Sequence, residues 1–352
     1  MVAVKTVLYL TLVSGTTIAF LSSHWMLAWI GLEINAFAFI PLISQQNHPR
    51  ATEAASKYFI IQASASGVLL FSSLLSAWLV GEWEISRMNT IAATLMMLSL
   101  AMKMGVAPFH FWPPEVAQGM NLNTALILAT WQKLATLALL MQITNAINPF
   151  LLTTLAIASS AFASWAGMNQ TQLRKILAYS STAHLGWILL IMKYQPNLSL
   201  MALMIYILNS MAAFLILKES PTTKMSAITL LWSKSPMLTI AMILALFSLA
   251  GLPPLTGFMP KWLILDGLTS QQLVIPAILI LMTALISLLF YTRICYFTII
   301  TLFPNPIKSK LSWRRKTKIN KIILATVTMM TLLLLPTTPL FWTITFYFNL
   351  GT

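Results

Sequence analysis

Long apolar segments follow one another along almost the whole chain, and short polar stretches separate them. A helix that crosses a membrane needs about 20 mostly apolar residues, and eleven segments are close to that length. The pattern therefore predicts an all-α, polytopic transmembrane bundle of about eleven helices that forms a single integral membrane domain over residues 1–352. The predicted spans are Val4–Leu21, Trp25–Ile43, Tyr58–Val80, Ile91–Ala107, Thr124–Ile143, Phe150–Ala166, Ile176–Met192, Leu198–Leu217, Met237–Leu255, Leu273–Ile300 and Ile322–Phe346.

The first apolar segment has the outline of a signal peptide, because Lys5 precedes it. A transmembrane helix is the better interpretation, since no small-residue cleavage site stands before the next apolar segment, which begins at Trp25. The chain also lacks an Arg- and Ser-rich transit peptide. If the protein is mitochondrial, we expect it to be made inside the organelle.

Composition supports a membrane protein and argues against a nucleic-acid partner. Of the 352 residues, 58% are hydrophobic and 8% charged, whereas roughly a quarter of an average soluble domain is charged. A net charge of +14 would suggest nucleic acid in a soluble protein. Here the basic residues lie mainly in the short loops, so no nucleic-acid binding is expected.

Loop charges orient the predicted bundle, because basic loops remain on the cytoplasmic or matrix side of a membrane. With eleven spans, the N-terminus shares one side with the even-numbered loops. That side carries Lys5, Arg50, Lys57, Arg174, Lys175, Lys218, Lys224, Lys234 and the basic residues of Lys308–Lys321, and the other side carries Arg87 and Lys193. The N-terminus is therefore predicted in the matrix and the C-terminus in the intermembrane space.

The densest charge cluster is the run "KSKLSWRRKTKINK". It is either a solvated loop that fixes topology or a docking strip for anionic lipid, such as cardiolipin or another phospholipid, or for a partner subunit. The residues of this strip are Lys308, Lys310, Arg314, Arg315, Lys316 and Lys318.

Cysteine and histidine usage excludes several kinds of site. Cys295 is the one cysteine, so disulfides, Cys-ligated zinc and Cys-held iron–sulfur clusters are excluded. The four histidines are scattered without metal-ligand spacing, and no metal site is predicted. Any redox cofactor is expected in another chain.

Three titratable residues, Glu33, Lys133 and His184, fall near the centres of predicted helices. An acidic or basic side chain costs roughly 2.5–3.5 kcal/mol there on insertion scales, and such residues usually mark ion pathways or proton relays. A Glu–Lys pair could instead hold two helices together. That alternative does not account for one central carboxylate among three buried lysines. His184 is either a proton carrier or a hydrogen-bonded packing residue.

Two apolar helices are predicted to break, each beside a lysine. The segment "LSLAMKMGVAPFHFWPPEV" carries Lys103 beside Gly105 and Pro108, and "SLAGLPPLTGFMPKWLI" carries Gly251, Pro253 and Pro254 before Lys261. Proline removes a helix hydrogen bond. Irregular backbone at membrane depth is tolerated only inside protein or beside water.

Two such breaks at corresponding positions are typical of transporters built from inverted repeats, which handle ions at the breaks. We expect a first repeat half at 1–147, with its break near 103–110, and a second at 148–300, with its break near 251–261. Residues 301–352 are then a basic loop and a C-terminal helix.

Five motifs together resemble one family. "WIGLEINAFAFIPL", "MKMGVAPFHFWPPEVAQG", "LATWQKLATLALL", "LRKILAYSSTAHLGW" and "LAGLPPLTGFMPKWLI" are similar to segments of the antiporter-like membrane subunits of respiratory complex I, in the same order and over essentially the whole chain. The resemblance implies a multi-pass protein of the mitochondrial inner membrane. Its partners would be neighbouring antiporter-like and accessory subunits and membrane lipids.

The resemblance also implies roles for single residues. Glu33 matches a helix glutamate that pairs with a lysine on the first broken helix, here Lys103. Lys133 matches a central lysine that passes protons, and Lys261 matches the ionisable residue on the second broken helix.

Further positions match less closely. His110 and Glu115 match a histidine and an acidic residue after the first break, and His184 falls where a polar residue is common. No lysine stands in the middle of Leu273–Ile300, so a relay there would depend on Lys261, Tyr291 and water.

The function implied is proton translocation driven by electron transfer from NADH to ubiquinone. NADH, FMN, iron–sulfur clusters and ubiquinone would all be bound by other subunits. Opening the Glu33–Lys103 pair would push Lys133 to release a proton toward Lys261, because unit charges about 4 Å apart interact by roughly 4 kcal/mol at an effective dielectric near 20. Two alternatives are a freestanding cation/proton antiporter, which would work without NADH, and a structural scaffold subunit.

Overall fold

The computed structural model of the chain describes residues 2–46, 48–85, 87–219, 224, 225, 228, 235–300 and 321–333. The predicted basic strip and the last part of the eleventh predicted span lie outside these residues. The helices are α1 Val2–Leu21, α2 Trp25–Ile43, α3 Pro49–Val80, α4 Thr90–Met104, α5 Trp112–Gly119, α6 Leu122–Ala129, α7 Trp131–Gln142, α8 Pro149–Met168, α9 Leu173–Met192, α10 Pro196–Glu219, α11 Pro236–Ala250, α12 Phe258–Ser270, α13 Val274–Ile300 and α14 Lys321–Leu333, with a 3-10 turn at Ser44–Gln46.

The predicted all-α membrane fold is confirmed. Eight spans in the described residues are long and apolar enough to cross a membrane, if α6 and α7 are taken as one. The other three apolar helices are shorter: Thr90–Met104, Pro236–Ala250 and Ile322–Leu333. The first two end early because the chain breaks after them.

Helix α3 begins at Pro49, well before the predicted start at Tyr58. His48 caps it, since the His48 Nδ1 atom accepts the Arg50 N–H at 3.2 Å and proline occupies the first turn, where its missing N–H costs nothing. The prediction followed apolar residues alone and so omitted this polar first segment.

The predicted span Thr124–Ile143 is divided. Helix α6 ends at Ala129, and α7 begins at Trp131 after Thr130 adopts φ −116° and ψ −69°. Helix α12 also follows the second break, where no helix was predicted.

The chain forms two compact units, Met1–Ser159 and Ser160–Thr352. In the first unit, α1 packs closely on α2, because Gly15 and Gly31 let the two backbones approach. A Cβ atom on Gly15 would lie 2.8 Å from the backbone nitrogen of Asn35. Helix α2 also contacts α3 and α7, and α4 contacts both α3 and α7. These four helices surround the interior of the unit.

In the second unit, α9 is the most enclosed of the candidate spans in the described residues, because 83% of its most apolar stretch is buried. It contacts α10, α12 and α13. Helix α14 packs on α10 and α11, and the Thr256 hydroxyl donates to the Thr331 carbonyl at 2.7 Å. The inverted-repeat relation between residues 1–147 and 148–300 stays a prediction.

Candidate functional site

The first helix break is built around Gly105. This residue has φ +75°, a left-handed conformation that glycine adopts without the steric cost of a Cβ. Its N–H bonds the carbonyls of Ala101 and Met102 at 3.0 and 3.2 Å. Pro108 lies in the loop between α4 and α5.

Two side chains also donate to carbonyls in the last turn of α4. The Trp112 indole Nε1–H donates to the Met102 carbonyl at 3.1 Å, and the Gln62 amide of α3 donates to the Lys103 carbonyl at 3.4 Å. Carbonyls that a helix end leaves without intrahelical partners need such donors when buried. The break is therefore satisfied without water at these atoms.

Glu33 and Lys103 face each other inside the first unit. The Lys103 Nζ and Glu33 Oε1 atoms lie 4.0 Å apart, and the two side chains are 2% and 16% exposed. Neither atom makes a hydrogen bond to any described residue. The contact is thus an ion pair at the limit of salt-bridge distance, with its charges close but not joined by a fixed hydrogen bond.

Lys133 lies on the first turn of α7, just after the discontinuity at Thr130, and is 5% exposed. Its backbone N–H donates to the Thr130 carbonyl at 3.3 Å, and its carbonyl accepts the Thr136 hydroxyl at 3.1 Å. The preceding residue, Gln132, donates its amide to the Asn35 Oδ1 atom on α2 at 3.0 Å. The helix of the buried lysine is thereby joined to the helix of Glu33.

The second helix break, in the second unit, is built around Gly251, with φ +82°. Its N–H bonds the carbonyls of Phe247 and Ser248. Lys261 on α12 reaches back across the glycine, and its Nζ donates to the Ala250 carbonyl at 2.6 Å. The same Nζ lies 5.8 Å from the centroid of the Trp187 ring. Pro253 and Pro254 lie in the turn that follows Gly251.

A cavity of about 20 Å³ adjoins Lys261, and His184, Tyr206 and Asn209 also line it. This volume is enough for roughly one water molecule. The His184 and Tyr206 rings lie 5.2 Å apart. The structure thus brings Lys261 and His184 to one small cavity, whose walls are mostly apolar.

Tyr291 is buried on α13, with 1% of its surface exposed. Its hydroxyl shares a hydrogen bond with that of Ser180 on α9, and it lies near enough to Tyr206 for the two to interact electrostatically. The predicted substitute for a central lysine in the second half is therefore a buried phenol that is hydrogen-bonded to Ser180.

Glu115 and His110 do not join the Glu33–Lys103 pair. The Glu115 Oε2 atom accepts from Lys57 Nζ at 2.8 Å, and Lys57 also pairs with Glu53 at 2.6 Å, all with substantially exposed side chains. His110 is 4% exposed and its ring lies 4.2 Å from that of Phe111. Glu115 thus fastens α5 to α3 at the surface of the unit.

Sequence reasoning missed the neutral polar residues of the site. Gln62, Asn35 and Gln132 stand inside apolar segments, and Trp112 stands just after a break. Amides within apolar runs are a usable signal, because an unpaired amide is costly at membrane depth. In the described residues, no three His, Cys, Asp or Glu side chains group as metal ligands.

Two family models match the chain in sequence. One, described as NADH:quinone oxidoreductase/Mrp antiporter, TM, covers residues 22–287. The other, described as NADH dehydrogenase subunit 2 C-terminus, covers residues 288–342.

Curated relatives match over almost their full length. The protein named NADH-ubiquinone oxidoreductase chain 2 from Carassius auratus is 54% identical over 332 residues, which are 94% of this chain and 95% of the relative. Its namesake from Squalus acanthias is 50% identical over 343 residues, 97% of this chain and 99% of the relative.

Solved structures share the fold. A chain of respiratory complex I from Thermus thermophilus with bound aureothin is 27% identical, with a TM-score of 0.83 over 94% of this chain and 77% of that chain. A chain of the Mrp complex from Dietzia sp. is alike in fold alone, at 16% identity, with a TM-score of 0.77 over 95% of this chain and 75% of that chain. On these matches, the chain belongs to the family of NADH dehydrogenase subunit 2 proteins, antiporter-like membrane subunits of NADH–ubiquinone oxidoreductase.

Proposed function

We propose that this chain translocates protons as a membrane-arm subunit of NADH–ubiquinone oxidoreductase. Its ionisable stations are Glu33, Lys103 and Lys133 in the first unit and Lys261 in the second. The observation that carries the proposal is the buried pair at 4.0 Å between Lys103 Nζ and Glu33 Oε1. Ionisable residues are costly inside an apolar bundle, and those that occur there usually mark ion pathways or proton relays.

The proposed step in the first unit is electrostatic. While Glu33 faces Lys103, the two charges largely cancel at Lys133. When the carboxylate moves away, the positive charge of Lys103 acts on Lys133 and favours release of its proton. Opening the Glu33–Lys103 pair removes an interaction of roughly 4 kcal/mol at about 4 Å and an effective dielectric near 20, which is equivalent to about a thousandfold change in a protonation equilibrium. A part of this change is felt at Lys133.

His184, Tyr206 and Tyr291 are proposed to support Lys261 in the second unit. The cavity beside Lys261 and His184 gives a water molecule access to both side chains. We assign no proton step to Glu115, because its partner is Lys57 at the surface of the first unit. His110 is proposed to support the first break.

Electron transfer is proposed to occur in other subunits, which would bind NADH, FMN, iron–sulfur clusters and ubiquinone. Iron–sulfur clusters are held by several cysteine thiolates, and this chain has one cysteine. We further propose the mitochondrial inner membrane, with the N-terminus in the matrix and the C-terminus in the intermembrane space. Neighbouring antiporter-like and accessory subunits and anionic lipid, including cardiolipin, would be the partners.

The test is Lys133→Met in the assembled complex, reconstituted into vesicles, with NADH oxidation and proton uptake followed together. We expect both to fall at least about tenfold, because one removed station interrupts a coupled path. Lys5→Met, at an exposed position on α1, is the control and should leave both rates unchanged. Unchanged rates in Lys133→Met would favour the scaffold alternative, and sodium- or potassium-dependent proton movement without NADH would favour a freestanding antiporter.

A further inference from the structure

An amide pair, in which Asn35 is buried and Gln132 is half-buried, joins α2 to α7 in the first unit. The Gln132 Nε2–H donates to the Asn35 Oδ1 at 3.0 Å, and Asn35 is 3% exposed. Each amide stands inside an apolar segment, where a polar group without a partner costs free energy. The two residues therefore satisfy each other across the helix interface.

The pair occupies a special place along both helices. Asn35 follows Glu33 by two positions, and at 100° per residue their side chains leave α2 on nearly opposite sides. Gln132 immediately precedes Lys133. A bond between Asn35 and Gln132 therefore limits rotation of α2 about its own axis, and such a rotation would displace the Glu33 carboxylate.

Helix α1, another neighbour of α2, packs closely against the backbone of the same residue, Asn35. Gly15 of α1 approaches so closely that an added Cβ would lie 2.8 Å from the backbone nitrogen of Asn35. On the side of Lys103, the Gln62 amide of α3 donates to the Lys103 carbonyl of α4 at 3.4 Å. The backbones that carry Glu33 and Lys103 are thus both held by neutral contacts, and the ion pair between them has no hydrogen bond of its own to any described residue.

Neutral side chains suit this task. An amide pair gives a directional bond without adding a charge, whereas a second ion pair would alter the electrostatic field at Lys133. Groups that act together must be held within roughly 0.5 Å of their working geometry by surrounding contacts.

We propose that the Asn35–Gln132 hydrogen bond is a positioning clasp, which fixes α2 against α7 so that the Glu33–Lys103 pair opens and closes by side-chain motion alone. Both are positioning residues, since an amide side chain neither gains nor loses a proton near neutral pH. The inference rests on the proposed function, because the clasp acts through Glu33 and Lys103.

The test uses three variants of the assembled complex in vesicles: Gln132→Asn, Asn35→Gln, and the two together. Each single change keeps an amide but alters its reach by one methylene, and the double change restores the summed length. We expect each single variant to lower the rate of proton uptake per assembled complex, together with the coupled NADH oxidation, roughly threefold to tenfold. The double variant should recover most of that loss. Gln142→Asn, the same change at an exposed position of α7, is the matched control.

The outcomes separate the clasp from other roles. Normal proton uptake per assembled complex in both single variants overturns the clasp, and so does a double variant that assembles normally but pumps no better than the singles. A lower amount of assembled complex with normal yield per complex also overturns it, because the pair would then serve stability alone. Lys133→Met in the same preparation tests the proposed function separately. If that variant pumps normally, the relay itself fails, whereas a pumping defect there beside normal clasp variants refutes only the clasp.

Discussion

The two broken helices share one turn and differ in how they treat their lysine. Gly105 and Gly251 both adopt left-handed φ angles near +80° and both bond two carbonyls of the preceding turn. Lys103 precedes its glycine and faces a carboxylate, whereas Lys261 follows its glycine and donates to a backbone carbonyl.

The two lysines therefore have different kinds of partner. The partner of Lys103 is a side chain on another helix, and side chains change rotamer rapidly. The partner of Lys261 is the Ala250 carbonyl at the C-terminus of α11, where the helix dipole also favours a cation. The same glycine turn therefore adjoins an ion pair between two side chains in the first unit and a lysine hydrogen-bonded to the backbone in the second.

The largest contrast is expected from removing each lysine charge. Lys103→Met leaves Glu33 buried without a counter-charge and should cost about 3–5 kcal/mol of stability. Lys261→Met leaves one carbonyl without its donor and should cost about 1–3 kcal/mol. The measurement is the temperature at which half of this chain is lost from the assembled complex.

The charge pairing predicts a selective rescue. Adding Glu33→Gln should recover most of the loss in Lys103→Met and none of the loss in Lys261→Met. A larger loss in Lys261→Met, or equal rescue of both, would contradict the contrast between the two breaks.

The two glycines should also differ when each is replaced by alanine. The left-handed angle alone costs a non-glycine residue roughly 1–2 kcal/mol. At Gly105 the new methyl would also collide with the ring of Pro113, whereas at Gly251 its nearest contact, at 2.9 Å, is the flexible side chain of Lys261. Gly105→Ala should therefore cost about 2–4 kcal/mol, more than Gly251→Ala, in the same thermal measurement.

The matched control for these changes is Gly67→Ala. A methyl there meets no atom within 4 Å in the middle of α3, and alanine favours a helix over glycine by about 1 kcal/mol. Equal losses at Gly105 and Gly251 would show that the Pro113 ring yields.

A smaller effect is expected at Trp112. Trp112→Phe keeps an aromatic ring but removes the donor to the Met102 carbonyl, which should cost about 1 kcal/mol. Trp262→Phe, at a side chain that is 61% exposed, should leave the thermal midpoint unchanged. If both replacements have the same effect, the hydrogen bond does not stabilise the first break.

The smallest effect is expected at the surface of the first unit. Lys57→Met removes the ion pairs with Glu53 and Glu115 that fasten α5 to α3, but exposed pairs contribute little. The shift should be smaller than in Trp112→Phe and should vanish near 1 M salt. A large thermal shift that persists near 1 M salt would contradict a weak, screened contribution of these exposed ion pairs.

The sequence predicted most of the spans because a membrane imposes a simple rule on composition. Apolar length located the helices, and Gly105 and Gly251 marked the two breaks through their local backbone chemistry. The division at Thr130 carried no such mark, since neither glycine nor proline stands there. The start of α3 was hidden because its first turns are polar and its cap, His48, lies outside the apolar run.

The site was predicted in part for a similar reason. Charged residues within apolar segments are conspicuous, so Glu33 and Lys133 could be named from the sequence alone. Neutral amides such as Asn35 and Gln132 are less conspicuous, and their importance depends on a partner nearly a hundred positions away.

The sequence by itself determined the membrane class, the order of the spans, the glycine turns and the positions of the ionisable residues along their helices. These follow from hydrophobic length, local backbone preference and position along a helix. The family resemblance had already implied that Glu33 pairs with Lys103, and the two lie 4.0 Å apart. Only the tertiary structure decided that Lys261 donates to the Ala250 carbonyl and that Asn35 meets Gln132. The reason is geometric, since a partner depends on the rotation and packing of each helix against its neighbours, and a linear pattern of apolar residues fixes neither.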